Sequence, residues 1–528
     1  MADSHEELRA RLNAETAKLE WPELEKHFAR GVVIKVSQAL DLIEVALRVI
    51  EDDKTAVADW MEKGQVAHPS MDDAQDWLDR QPLFWAVVAA PWVLIQETNG
   101  LDNEGGHMTA TDKKNIDFSL AYYAGDRKTG SISVVRRRAG ALDVRPLENS
   151  EESGLDKPLK PIFIGLTEDD QVITLDPKSK EISISDTFIP DAFAAHIYSD
   201  PVSERDYFMY DGDDKKTGND ALNCGTNGSS VTVMENTANS SVNYVKTICV
   251  GRGHHQCNFS YPSEQAPNVP KQAYVSNLID GTLSVIGNDP EKADSYLQVV
   301  ATINLCEPDK EAFDEVQIPN NSFPHGLVYS KVSGKVYNLN NGYGSVAVID
   351  PVSNDIEALV PFKGFSNLFI SPCGGYIFGR GADRKSDPDH CIAKLAVLDV
   401  MSGEVLDAID LPDVYISKYF FNPEGSKLYL TTSASGSDEQ KANIKNDAVL
   451  VFDLGALPKL KLSKELRLGS PTGTLDFLAP TDKTALVFAS NSSEGMVTLI
   501  CGERDEVLEK LPVIKPQPHS RLWVLQNG

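Results

Sequence analysis

No run of apolar residues in the chain approaches the ~20 needed to cross a bilayer as a helix, so a membrane span is not expected. Positive charge is also scarce: 50 Lys and Arg face 78 Asp and Glu, leaving a formal net charge of -28. A phosphate backbone needs a basic surface, which excludes nucleic-acid binding as a function class. Acidity of this size implies a soluble, self-repelling molecule. Cysteine is sparse as well. Seven in 528 residues cannot all pair internally, although Cys224, Cys249 and Cys257 lie near enough in sequence for one disulfide. The first residues, MADSHEELRARL, lack the apolar segment of a secretory signal. The expectation is a cytoplasmic protein, with a periplasmic origin of the C-terminal part left open. Catalytic signatures are missing too: there is no G-x-S-x-G elbow, H-E-x-x-H helix or C-x-x-C pair. Gly-Arg-Gly occurs at 251–253 and 379–381 without the strand-to-helix setting of a phosphate cradle.

A chain of this length should contain at least two domains. In the leading block, Ser4 with Glu7 predicts a capped helix carrying Leu8, Leu12 and Leu19. Trp21-Pro22 starts a second helix, and the β-branched run Gly31 to Val36 predicts a strand. Leu40, Ile43, Leu47 and Ile50 recur at spacings of three and four, which predicts an amphipathic helix over Ser37 to Ile50. Two more helices carry Trp60 and Trp77, and FWAVVAAPWVLIQE reads as one strand-like segment with Pro91 at an edge or bulge. The stretches LNAETAKLEWPELEKHFARGVVIKV, LDLIEVALRVIEDD and FWAVVAAPWVLIQE, in that order, resemble a small bacterial domain family of unknown function. That resemblance covers residues 6 to 97 and implies no activity. Its tryptophans, with His27 and His68, read as core and surface residues. We therefore expect a small α+β domain over residues 1–97, a linker over 98–116 and a second domain over 117–528. The linker is polar, Gly-rich and non-periodic. Its Gly105-Gly106-His107-Met108 reads equally as a natural connection or as a junction between two formerly separate chains.

Beyond the linker one pattern returns roughly every 50 residues, the period of a four-stranded propeller blade. Its third strands are SISVV (131–135), QVITLD (171–176), SVTVME (230–235), TLSVIG (282–287), SVAVID (345–350), KLAVLD (394–399), AVLVFD (448–453) and MVTLIC (496–501). Most alternate side chains across two faces, so each face can pack on a neighbouring blade. Eight such strands predict an eight-bladed β-propeller, with seven blades as the alternative if the units around Ile162 to Ile189 merge. HSRLWVLQNG at the end looks like a first strand with nothing after it, and the segment from Phe118 looks like second and third strands with no first. Joining them completes a blade and removes two sheet edges. The phrases AYVSNLIDGTLSVIGND, KVYNLNNGYGSVAVIDPVSNDIEA and GSKLYLTT resemble the YncE-like, YVTN-repeat propellers, and more loosely the propellers of cytochrome cd nitrite reductase and nitrous oxide reductase. The resemblance implies a fold and leaves function open, since this architecture hosts unrelated chemistries.

Histidines fall at the entrances of the blades. His196, His254 and His255, His325 and His519 each precede or open an inferred first strand, and in a propeller that strand lines the central channel. Imidazoles converging there would suit copper, zinc or iron, with Cys257 as a soft additional ligand. The resemblance to nitrous oxide reductase implies a histidine-rich hub. The later blades, however, open near Asn367, Lys418 and Asp476, so a full histidine ring is not expected. The structural alternative is that these histidines bond loop backbones. Arg252 and Arg380 are the candidate contacts for an organic ligand or cofactor. Asp211 to Asp220 is acidic but lacks EF-hand spacing. Gly381 to Cys391 is a polar insertion with Arg384, Asp387, Asp389 and His390, either a binding loop or an ion-paired one. Three functions stay open at this point. One is a metal-dependent oxidoreductase or metal carrier, another a scaffold binding a small ligand or protein partner, and the third a metal-free enzyme in the channel.

Overall fold

In the computed structural model, residues 8–9, 12, 16–28, 30–37, 40–80, 83–97, 117–125, 130–138, 141–146, 162–166, 172–175, 182–185, 194–203, 205–210, 224, 229–236, 242–312, 315–478, 485–513 and 519–524 are described, some by backbone alone. The predicted linker 98–116, the acidic loop Asp211 to Asp220 and the cap residues Ser4 and Glu7 lie outside them. The chain divides into two compact units, Met1–Thr111 and Asp112–Gly528.

The first unit is a five-stranded sheet in the order Ala17–Glu20, Leu83–Ala89, Trp92–Glu97, Val33–Val36, Val66–Ala67, with helices packed against it. Only the Val33–Val36 pairing with Trp92–Glu97 is parallel, with Val33 opposite Val93. The helix Leu42–Ile50 begins where the Asp41 carboxylate accepts the Glu44 N–H at 2.9 Å, so it is shorter than the span Ser37 to Ile50 predicted from periodicity. Its Val45, Ala46 and Leu47 are fully buried in a core shared with Leu94 and Val87. Trp21 and Trp77 pack together at 5.0 Å in the second half of that core. Two readings are corrected. Leu19 lies in an edge strand paired with Phe84, because sheet pairing outweighs a single leucine at helical spacing. Pro91 does not sit within a strand: Ala90 and Pro91 form the turn of a hairpin whose arms are Leu83–Ala89 and Trp92–Glu97.

The second unit is an eight-bladed β-propeller. Among the described residues seven sheets have four strands each, and one, Ile162–Leu166, Val172–Leu175 and Ile182–Ser185, has three. Numbered along the chain, blade 1 joins the termini: His519–Val524 pairs antiparallel with Phe118–Gly125, Leu522 opposite Tyr122. Blade 2 is the three-stranded sheet. The first strands of blades 3 to 8 are Ala194–Ser199, His254–Ser260, Pro324–Ser330, Asn367–Ile370, Ile416–Phe421 and Leu475–Leu478. Middle strands such as Gln272–Asn277 and Thr282–Gly287 are buried at every position because neighbouring blades cover both faces, while the fourth strand Ile356–Pro361 exposes Glu357, Ala358 and Leu359. Each pair of successive blades from 3 round to 1 shares an apolar cluster, such as Leu395 and Phe378 of blade 6 with Leu428 and Leu450 of blade 7.

A repeated tyrosine adds a polar pin. Tyr207, Tyr274, Tyr337 and Tyr429 occupy second strands and are almost wholly buried. Each donates its hydroxyl to the next blade, to Asn288 (2.7 Å), Asn354 (3.2 Å), the Val400 carbonyl (3.1 Å) and Asp505 (2.8 Å) respectively. A buried hydroxyl needs such a partner, so the phrase that marks the repeat also sets the spacing of neighbouring blades. In blade 3, Cys224 and Cys249 form a disulfide. Among the described residues no helix is long and apolar enough to cross a membrane.

Candidate functional site

Entry to the channel is shaped by bulges. In blade 5 the pairing of the first strand slips between Pro324 and Gly326, so His325 is the extra residue. The same slip occurs between Ala194 and His196 in blade 3, His254 and Cys257 in blade 4, and Ile416 and Lys418 in blade 7. A bulge bends the strand and re-aims the side chain at that point, and it recurs at the start of the first strand in blades 3, 4, 5 and 7. Gly326 makes room for this in blade 5: a Cβ there would come within 2.6 Å of the Leu368 backbone nitrogen. Only glycine lets the first strands of blades 5 and 6 approach so closely.

The groups gathered at this point come from blades 3 to 7. His325 is mostly buried, beside Arg380 from the second strand of blade 6, and it hydrogen-bonds the backbone of Ser366. Loss of solvation, helped by the positive charge of Arg380 and by His196, pushes the His325 pKa down to about 4. The imidazole is therefore neutral at pH 7. Arg380 donates from Nη1 to the Ile416 carbonyl at 2.7 Å, reaching blade 7. Burial pulls its own pKa down, and the phenols of Tyr415 and Tyr419 act on it in the opposite sense. Gln256 of blade 4 passes in front of blade 5, donating to Asn367 Oδ1 at 2.9 Å and accepting the Leu327 N–H at 2.9 Å.

Tyr419 stacks on the buried ring of Phe369 at 4.0 Å. It is 39% exposed, yet desolvation raises its pKa. That combination describes the wall of a narrow channel. Tyr198 of blade 3 feels Tyr419 of blade 7 electrostatically. These blades are four apart in a ring of eight, so the interaction runs across the ring and not between neighbours.

Of the predicted site residues, the fold brings Arg380 and His196 each within electrostatic reach of His325. His254, His255 and His519 begin their strands as expected, but their side chains lie outside the described residues. Among the described residues, no three His, Cys, Asp or Glu side chains gather to hold a metal. Cys257 does not reach the channel. It is buried between blades 3 and 4 beside Tyr207 and Phe259, and burial raises its pKa well above that of an ordinary thiol. Arg252 stands apart from Arg380 and braces a turn: its Nε and backbone N–H donate to the two oxygens of Asp280, both at 2.8 Å. Tyr198, Tyr415, Tyr419 and Gln256 were not singled out from sequence. The first-strand phrases AAHIYS, HHQCNFS and KYFF do carry Tyr198, Gln256 and Tyr419, three of the four, and only the ring geometry distinguishes them from core residues.

Residues 7–97 match the model of a family described as protein of unknown function, DUF2288. The N-terminal unit is a DUF2288 domain. The same part of the chain is similar to the solution structure of PA1075 from Pseudomonas aeruginosa, at 45% identity over 19% of this chain and 92% of that one, with a TM-score of 0.17. Beyond the DUF2288 domain, similarity is to propeller structures. The dihydro-heme d1 dehydrogenase NirN in complex with DHE is 15% identical over 70% of this chain and 66% of that one, TM-score 0.47. Apo AztD from Citrobacter koseri is 12% identical over 78% and 99%, TM-score 0.47. No curated protein matches the chain.

Proposed function

We propose that the propeller binds a small anionic ligand in its central channel, held by His325 and Arg380. The observation that carries this reading is the buried guanidinium. Arg380 sits beside a neutral histidine with its Nε buried and without a hydrogen-bond partner, and its Nη1 donates to a neutral carbonyl. A buried charge of this kind is stabilised by an anion that accepts from it. The net charge of -28 opposes anion approach at long range, so capture there rests on the local positive charge of Arg380. An anion beside His325 also favours the protonated imidazole, so binding should take up a proton.

The test is thermal unfolding and calorimetry with acetate, benzoate and inorganic phosphate on the full chain, Arg380→Gln and His325→Ala. Binding to the wild type that strengthens from pH 7.5 to 5.5 and is lost in Arg380→Gln supports the proposal. Binding that is unchanged in Arg380→Gln removes it.

A second reading keeps a transition metal, as carrier or oxidoreductase. It is favoured by the coupling of His196 to His325 across blades 3 and 5, with His254 and His255 on the blade between. Arg380 opposes it, because a cation placed next to His325 would meet a fixed positive charge. Elemental analysis for copper, zinc and iron after reconstitution decides between them. One equivalent that depends on both His196 and His325 favours the metal.

A further inference from the structure

We infer that the channel ligand carries two anionic groups, and that Arg384 on the insertion loop of blade 6 receives the outer one. This rests on the anion-binding reading of His325 and Arg380. In the strand Tyr376–Asp383 side chains alternate between faces, which places Arg380 and Ala382 on one face, with Arg384 next in that series. Four residues of extended chain span about 13 Å, so the two arginines mark an inner and an outer station. Tyr415 connects them: its phenol acts on Arg380, and the Arg384 guanidinium lies over its ring at 5.6 Å.

Arg384 is exposed yet not left to wander. The short helix Asp438–Asn443 of blade 7 presents Gln440, which is 2% exposed and donates from Nε2 to the carbonyls of Arg384 (3.1 Å), Asp387 (2.8 Å) and His390 (3.4 Å). Gln440 is thus a positioning residue, holding the backbone that carries Arg384. Asn443 adds a bond to the Asp389 carbonyl at 3.0 Å. Arg384 Nη1 donates to Ser435 Oγ at 3.1 Å, a neutral partner.

The neighbouring carboxylates are engaged elsewhere. Asp383 accepts the N–H groups of Lys385 and Ser386, both at 3.0 Å. Asp387 accepts those of Asp389 (2.8 Å) and His390 (3.2 Å). Asp413 holds His390 Nδ1 at 2.6 Å. A guanidinium held in place beside an aromatic ring, with the nearby acids occupied, is built to meet a carboxylate or phosphate. A rigid or extended diacid lying along Tyr415 would satisfy both arginines.

The experiment compares naphthalene-2,6-dicarboxylate with 2-naphthoate by fluorescence titration of the full chain, Arg384→Gln, Gln440→Ala and Arg380→Gln. The expected result is that wild type prefers the diacid by about tenfold or more, one charge-assisted contact being worth ~1.5 kcal/mol or more. Arg384→Gln should abolish that preference while leaving naphthoate affinity unchanged, and Gln440→Ala should weaken it. An unchanged diacid preference in Arg384→Gln, with Arg380→Gln losing both probes, overturns the outer station and leaves the anion site standing. Failure of the wild type to bind either probe overturns both readings.

Discussion

Arg380 Nη1 donates to the Ile416 carbonyl at 2.7 Å, so a side chain from the second strand of blade 6 ties down the first strand of blade 7 while its charge acts on His325 of blade 5. Three blades therefore meet in one guanidinium. This makes the hub at this point a joint of the ring as well as a candidate binding site, and the two roles have separable consequences.

The depressed pKa of His325 makes the fold sensitive to acid. Its folded-state value of about 4 lies below the ordinary 6.5, so the unfolded chain takes up this proton first as pH falls. The contribution is intact above pH 6.5, is lost progressively between about 6.5 and 4, and levels off below. A shift of this size corresponds to on the order of 3 kcal/mol at most, less where water reaches the ring. Urea unfolding of wild type and His325→Gln at pH 7 and pH 4.5 checks it: the loss on acidification should be smaller in the variant. Parallel curves would place the acid sensitivity elsewhere.

Ring closure depends on Asp476. Its carboxylate accepts the Val524 N–H at 2.7 Å and the Phe477 N–H at 2.9 Å, clasping the C-terminal strand to blade 8. Burial raises its pKa, and the two backbone donors act in the opposite sense. Asp476→Ala leaves both N–H groups without that acceptor and should cost about 1–3 kcal/mol. Hydrogen exchange at Val524 is expected to accelerate more than exchange in blade 6. Equal protection in wild type and variant would count against the clasp.

Gly326→Ala should destabilise the propeller by about 1–3 kcal/mol, since the new methyl meets backbone and not a yielding side chain. Because His325 precedes it at the bulge, the same change should weaken anion binding. A variant with unaltered melting temperature would show that blades 5 and 6 separate more easily than their contact suggests.

Much of the architecture was legible in the chain. Every inferred third strand is a strand, and the incomplete segments at Phe118 and His519 do pair with each other. The reason is local: alternation of apolar residues with punctuating turns is written into consecutive residues, and burial on both faces enforces it. Leu19 and Pro91 misled for the complementary reason, since each reads locally one way and is overruled by its sheet partners.

The sequence by itself determined the propeller repeat and which histidines stand at the blade entrances, because hydrophobic period and strand order are properties of neighbouring residues; the choice of eight blades over seven came with the separate sheet Ile162–Leu166, Val172–Leu175 and Ile182–Ser185. Tertiary structure alone decided which neighbours the candidate residues meet. It turned Cys257 into the inter-blade core, bound Arg252 to Asp280, and carried Arg380 to His325 from a different blade. Such choices depend on bulges that aim a side chain and on the closure of a ring, and neither a charge nor an imidazole reveals its direction until distant strands have packed.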